Sequence, residues 1–335
     1  MARPASSRPK LIFQDNALLN GAKQGTLLDH IKAAGGRAIQ QDVIYGGVHS
    51  GAGYNLAAYD QLVNAARKRG LGVRFRLMGT PGYMAKTRPG VDVSLSSSRP
   101  DPALMRQFAR DMSQHFAGRV GGYSIWNEPN VGSFLAASNN NAALAARQYR
   151  KLYEAGYLGV KEGNRKARVG FGEITSSSPN DVGGLSTIGF LKNVLSASPH
   201  RLHADYAAIH PYQWSNPNVR PDNPLYGGIS NLGAVQKVLA DYAHRGRFTR
   251  ARGGKVPLSL SEFGYKHDAQ PNAATRAVWL RRAMQLAQQA GVQDVNMYQL
   301  VPSRPGDYWD SSIANSRGKI DPRVLRALRG TKKRT

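Results

Sequence analysis

Two glutamates stand where their surroundings could do chemistry. Glu128 lies in Trp126-Asn127-Glu128-Pro129-Asn130, and Glu262 lies in Ser261-Glu262-Phe263-Gly264. Each follows a short run (Gly122–Trp126 and Val256–Ser261) that reads as a buried strand. Burying a carboxylate at such a strand end is costly unless it is paired or neutralised. Two carboxylates facing each other across a cavity are the minimum set for acetal hydrolysis. One stays ionised and attacks or stabilises the anomeric carbon. The other is kept protonated by its neighbour's charge and by burial, and it protonates the leaving oxygen. A lone strand-end glutamate would read as a rim cap. The Trp-Asn-Glu-Pro setting favours catalysis.

Such a pair needs elements that bring it together. Eight β-type runs are legible: Lys10–Gln14, Arg37–Tyr45, Val73–Gly79, Gly122–Trp126, Arg168–Glu173, Tyr206–His210, Val256–Ser261 and Val295–Leu300. Amphipathic helical stretches separate them, including Ala57–Arg69, Pro102–Phe116, Asn141–Glu162, Asn231–His244 and Ala273–Ala290. Asp101-Pro102 reads as an N-cap with proline at the first helical position. Gly35-Gly36, Gly70, Gly118 and Gly291 stand where helices should stop. Strands that look apolar rather than strictly alternating, each followed by a helix, predict a parallel sheet covered by helices. The eightfold count predicts α/β architecture closed as one (β/α)₈ TIM barrel, a single domain over residues 1–335. Strands four and seven then face each other across the mouth. Two long loops, Thr87–Arg99 and Gln213–Gly228, follow strands three and six and are candidate cleft walls.

Trp126-Asn127-Glu128-Pro129-Asn130 with Ser261-Glu262-Phe263-Gly264 resembles clan A of the retaining glycoside hydrolases, nearest to families 39 and 5. The resemblance implies Glu128 as acid/base and Glu262 as nucleophile. It implies Asn127 as the partner of the sugar 2-hydroxyl. His210-Pro211-Tyr212 is similar to the clan's His-x-Tyr, which implies that Tyr212 donates to the nucleophile and that His210 lines the sugar subsite. Gly79-Thr80-Pro81 is also like family 39. The second strand departs from the pattern, with Gln40 where the clan carries arginine; Arg37 and Arg76 are the alternative guanidinium sources. Strand eight offers Tyr298 in place of a tryptophan platform, with Trp309 beyond it. The first-strand region Leu11–Asn16 matches only loosely. Trp126, Tyr298 and Trp309 complete the set of expected substrate-binding residues.

Other residues near the strand ends carry weaker signals. Trp214, Tyr45 and Tyr83 could stack on sugars or simply pack. Asp42, His49 and Glu173 are possible substrate contacts, though an ion pair with a nearby arginine suits Glu173 better. His203 and Asp205 beside His210 hint at a metal, but Phe13-Gln14-Asp15 does not supply the His-x-His of a metal-dependent barrel hydrolase, so no metal and no cofactor is expected. No Gly-rich loop at a strand-to-helix turn cradles phosphate.

The 335 residues carry 46 Lys+Arg against 21 Asp+Glu, a formal charge of +25. Hydrophobic residues make up 41%, which excludes disorder as the main state. Cysteine is absent, which excludes disulfides and thiol chemistry. No apolar run is long enough to span a bilayer. MARPASSRPK lacks an apolar signal-peptide core, although secretion would suit a polysaccharide substrate. The basic balance suggests a polyanionic partner: nucleic acid, an anionic polysaccharide or an acidic surface. Most basic residues are scattered along the chain, however, which reads as arginine favoured as the surface cation. An oligo- or polysaccharide bearing carboxylates or phosphates, drawn to a basic cleft, reconciles the charge with an enzyme, and nucleic acid is the less favoured partner. Arg323, Arg326 and Arg329 at spacing three would share a face of a basic C-terminal helix, within a tail of about 323–335. Two rivals to hydrolysis keep the same barrel: transglycosylation on the same carboxylates, and a carbohydrate- or polyanion-binding barrel without catalysis.

Overall fold

A computed structural model of the chain describes residues 7–81, 100–135, 141–176, 185–267, 272–303, 305 and 309–329. Eight strands form the barrel: β1 (Lys10–Gln14), β2 (Ala38–Ile44), β3 (Gly72–Met78), β4 (Gly122–Ile125), β5 (Arg168–Thr175), β6 (Tyr206–His210), β7 (Leu258–Phe263) and β8 (Asp294–Tyr298). Each pairs in parallel with its sequence neighbours, and β1 closes on β8, so the sheet has no free edge. The helices are α1 (Gly21–Ala33), α2 (Ala57–Lys68), α3 (Pro102–His115), α4 (Ala142–Gly163), α5 (Thr187–Ser196), α6 (Leu232–His244), α7 (Ala273–Gln289) and α8 (Pro322–Arg329). This is the predicted (β/α)₈ barrel, and one continuous apolar core lies between the strands and the helices.

The strands are not uniformly apolar, contrary to the expectation from sequence. Phe13, Ile39, Val43, Phe75, Leu77, Phe171 and Ile209 join the apolar core. The residues between them, Gln14, Gln40, Arg74, Arg76, Ser259 and Asn296, are buried and polar. Their bonds cross the barrel: Arg74 reaches Asp294, and Asn296 and Gln40 both donate to Gln14 Oε1. The barrel interior is therefore a hydrogen-bonded polar core, and each group needs a partner because unpaired burial is costly. The alternation is visible in β2 and β3 as Ile-Gln-Gln-Asp-Val and Val-Arg-Phe-Arg-Leu.

Two register breaks interrupt the ladders. One falls between Gly172 and Ile174 where β5 meets β6, the other between Leu260 and Phe263 where β7 meets β8. A bulge adds a residue to one strand and re-aims its side chains. Here the re-aimed residues include Glu173 and Glu262. Glu173 takes a positive φ of 49° for this, beside Gly172 at 121°.

The helix ends follow the sequence signals. Asp101, Asn141 and Asn272 accept from the first-turn amides of α3, α4 and α7. Gly35, Gly70, Gly118 and Gly291 adopt positive φ just after α1, α2, α3 and α7. The basic C-terminal segment forms α8, which buries Val324, Ala327 and Leu328 against the barrel. The Thr87–Arg99 stretch, Tyr83 and residues 330–335 lie outside the described residues. The Gln213–Gly228 loop is described, and Gln213 ties it by donating to Asn216 O at 2.9 Å and Val219 O at 3.0 Å. No helix among the described residues is long and apolar enough to cross a membrane.

Candidate active site

Glu262 ends β7 inside the mouth. Its Oε1 lies 2.6 Å from Arg76 Nη1, and Tyr212 donates its hydroxyl to Oε2 at 3.0 Å. Gln14 Nε2 reaches the same Oε1 at 3.5 Å. Arg76, from β3, is the guanidinium of the site. Gln40 instead donates to Gln14 Oε1 at 3.0 Å and Ser261 O at 3.1 Å, and Arg37 is exposed at the start of β2. Arg76 is also forked onto Asp42, with both bonds at 2.8 Å. Burial opposes the charge on Arg76, yet Asp42, Glu262 and Glu173 hold it firmly protonated. Burial wins at Asp42, whose carboxyl is raised above its ordinary range despite Arg76.

Glu128 follows β4 in a strained backbone, with φ of 71° at Trp126 and 40° at Glu128. Non-glycine residues adopt such angles only where the surroundings over-determine them. The Glu128 amide donates to Glu173 O at 2.9 Å, and Trp126 Nε1 donates to Phe134 O at 2.8 Å. Trp126 is fully buried.

His210 joins the two halves. Its Nδ1 is 2.9 Å from Glu128 Oε1 and its Nε2 is 2.8 Å from Glu173 Oε2. Both ring nitrogens are engaged and the ring is fully buried, so His210 links Glu128 to Glu173 from inside the barrel. Burial alone would lower its pKa, but Glu262, Glu128 and Glu173 together raise it to about 10. Burial likewise pushes Glu173 up, while His210, Arg76 and Ser124 outweigh it and bring Glu173 to about 2. Glu173 thus sits in an ion pair, principally with His210 and at 3.5 Å with Arg76.

One oxygen of Glu128, one of Glu262 and a His210 nitrogen all lie within 4.8 Å of one another. That spacing would suit a metal ion, but a ligating imidazole must be neutral. The charged His210, together with the guanidinium on Glu262, makes this a poor cation site.

Asn127 is buried beside Glu128, and its Oδ1 has no hydrogen-bond partner among the described residues. Tyr212 meets Trp309 edge-on at 4.8 Å, and Trp309 meets Trp214 at 5.3 Å, so three rings form one wall. Tyr298 is partly exposed at the end of β8. Tyr45 instead stacks on Phe108 at 4.2 Å, and His49 packs edge-on against Tyr45 and Tyr54. His203 and Asp205 precede β6 at the opposite end of the barrel from His210. The Gln14, Gln40 and Asn296 layer beneath the carboxylates was not foreseen as part of the site. Its only signal was polar residues alternating inside apolar strands.

No protein-family model matches the sequence, and no curated protein matches it. Solved structures do. A family 39 glycoside hydrolase from the gut symbiont Bacteroides cellulosilyticus WH2 superposes with a TM-score of 0.67 at 17% identity, over 96% of this chain and 63% of that one. Fpglu1 from Fervidobacterium pennivoraus gives 0.65 at 12% identity, over 98% and 96%. GH5_18 from Streptomyces cattleya, solved with GlcNAc, gives 0.64 at 15% identity, over 97% and 80%. This chain thus spans less than two thirds of the family 39 protein's length. At these identities the likeness is one of fold: the chain shares the (β/α)₈ barrel of glycoside hydrolases of families 39 and 5.

Proposed function

We propose that the chain is a retaining glycoside hydrolase acting on β-linked oligo- or polysaccharides. The observation that carries this reading is the asymmetry of the paired glutamates. Glu262 is held by the Arg76 guanidinium and the Tyr212 hydroxyl, whereas Glu128 meets only His210, which it shares with Glu173; one oxygen of each glutamate lies within 4.8 Å of the other. The separation sits on the short side, near the ~5–5.5 Å of retaining enzymes and below the ~6.5–9.5 Å that leaves room for a water in inverting ones.

In the first step a Glu262 oxygen attacks the anomeric carbon. The glycosidic C–O bond breaks as Glu128 gives its proton to the departing oxygen. His210 donates to Glu128 Oε1, which leaves Oε2 to carry that proton. In the second step water attacks the anomeric carbon, its proton returns to Glu128, and Glu262 leaves as carboxylate. Asn127 has an unpartnered buried Oδ1, which suits a sugar hydroxyl as its missing partner. The Tyr212–Trp309–Trp214 wall offers ring faces for sugar C–H groups.

Intact-mass measurement after incubation with a panel of 2-deoxy-2-fluoro glycosyl fluorides tests this. The fluorine slows breakdown of the glycosyl-enzyme, so one sugar mass should accumulate on Glu262, located by peptide mapping. Glu262→Ala should lose the adduct and several orders of magnitude in turnover while keeping its fold. Undiminished turnover in that variant would remove the assignment.

A further inference from the structure

Among the described residues, a group of cations lies at the end of the barrel opposite the mouth. Two adjoining depressions of about 600 and 740 Å³ open on the floor, among the first residues of the strands, and share Ala38, Arg74 and Arg168. Arg8, Lys10, Arg37, Arg67, Lys166 and Arg168 line them, all exposed. None of these six forms an ion pair with a carboxylate among the described residues. Arg8 and Arg67 donate only to backbone carbonyls, and Arg168 to Asp205 O and Gln293 Oε1. Asp294 is the one carboxylate lining the floor among the described residues, and Arg74 already holds it at 3.1 Å.

Buried donors on the floor also lack partners. Arg74 spends Nη1 on Asp294, while among the described residues its Nε and Nη2 have no acceptor, and Gln293 Nε2 has none either. The Arg74 and Arg168 guanidinium groups flank the Tyr206 ring at 5.2 and 5.3 Å, which holds both near the centre of the floor. Unshielded cations this close repel one another, and an anion relieves that repulsion. Guanidinium forks suit planar or tetrahedral oxyanions.

We propose that the barrel floor is a docking site for an anionic polysaccharide, a strand bearing carboxylate or sulfate groups, held there while the mouth on the opposite face stays open. The lining favours this class over nucleic acid. Single-stranded nucleic acids are gripped by rings on which bases stack. The only ring lining the floor among the described residues is Tyr206, which is buried.

The test measures binding of the full chain to heparin and to polygalacturonate at increasing sodium chloride, with a single-stranded DNA oligonucleotide as comparator. The Lys10→Glu/Arg37→Glu/Lys166→Glu variant is set against Lys237→Glu/Arg281→Glu/Arg317→Glu. The second triple makes the same change in net charge at positions that do not line the floor. Wild type should bind at least one polysaccharide, with affinity falling steeply as salt rises. The floor triple should lose more than tenfold and the control triple less than threefold. Equal losses in the two triples, no salt-sensitive binding to either polysaccharide, or tighter binding to the DNA would each overturn the proposal. Should the floor triple melt early, the milder Lys10→Gln/Arg37→Gln pair against Lys237→Gln/Arg281→Gln draws the same distinction between floor and control. The readout is binding, not turnover, so either result leaves the hydrolytic reading standing or falling by itself.

Discussion

His210 is held between Glu128 at 2.9 Å and Glu173 at 2.8 Å. A neutral imidazole has one N–H and cannot donate to two ionised carboxylates, so with both ionised this geometry calls for the imidazolium. Its pKa of about 10 stands above the ordinary value near 6.5. A raised pKa gives stability that is complete below about pH 6.5 and is lost as pH rises through about 10, with a slope of at most about 1.4 kcal/mol per pH unit for one proton. Glu173 works in the other direction: its contribution is complete above its ordinary range and is lost as pH falls through about 2. Glu173→Gln removes the buried anion behind the ring. Urea unfolding at stepped pH should show the variant losing the wild-type decline between about pH 7 and 10. Histidine-selective ¹⁵N spectra should show one ring titrating at much lower pH than in wild type. An unchanged high-pH ring would mean that Glu128 and Glu262 suffice. On the proposed mechanism, the same variant keeps both catalytic carboxylates yet loses activity, because the donor that orients Glu128 is no longer fixed.

At the scale of elements, the two bulges matter more than strand length. Without the break in β5, Glu173 would follow the period of two and point toward the helices. Gly172 permits the break: its φ is 121°, and a Cβ there would collide with Ala208 O. Gly172→Ala should therefore destabilise the fold by more than about 1 kcal/mol, from positive φ and clash together. The helices give a second test with a reversed sign. Glycine to alanine inside a helix ordinarily stabilises by about 0.5–1 kcal/mol. Gly159 in α4 lies against Arg106 O of α3, where an added Cβ has no room. Gly159→Ala should lower the melting temperature, and a rise would show that α3 can move away. The element positions were largely legible, with most strand ends displaced by one or two residues. The bulges were not legible, because nothing in Gly172-Glu173 or Ser261-Glu262 marks a register shift until both neighbouring strands are paired.

For the molecule as a whole, charge is divided along the barrel axis. The described carboxylates Glu128, Glu173, Glu262 and Asp42 crowd the mouth, and the exposed cations of the floor stand without carboxylate partners among the described residues. Self-repulsion at +25 opposes compactness, and salt screens it. Calorimetry should find the melting temperature rising from roughly 10 to 150 mM sodium chloride, since screening relieves exposed repulsion more than it weakens buried pairs such as Arg76–Glu262. A falling melting temperature would show that surface ion pairs outweigh the repulsion.

The amino-acid sequence alone determined the eight strand–helix units, the barrel they imply, and Glu128, Glu262 and Tyr212 as residues that meet at its mouth. These are local signals: strand runs, caps and stop glycines, and motifs whose residues sit together. It left undecided which guanidinium serves Glu262. Gln40 and Arg76 sit on adjacent strands two residues out of register, and side-chain reach across the barrel settles the matter. It left open that His210 turns inward between two carboxylates, because a His-Pro-Tyr run reads the same whichever way the ring faces. It gave the total charge but not its place, since Arg8, Arg37 and Arg168 are far apart along the chain and meet only where the barrel brings the starts of its strands together. Closure decided these points, because contact in a barrel depends on how strands are ordered and registered around the ring and not on distance along the chain.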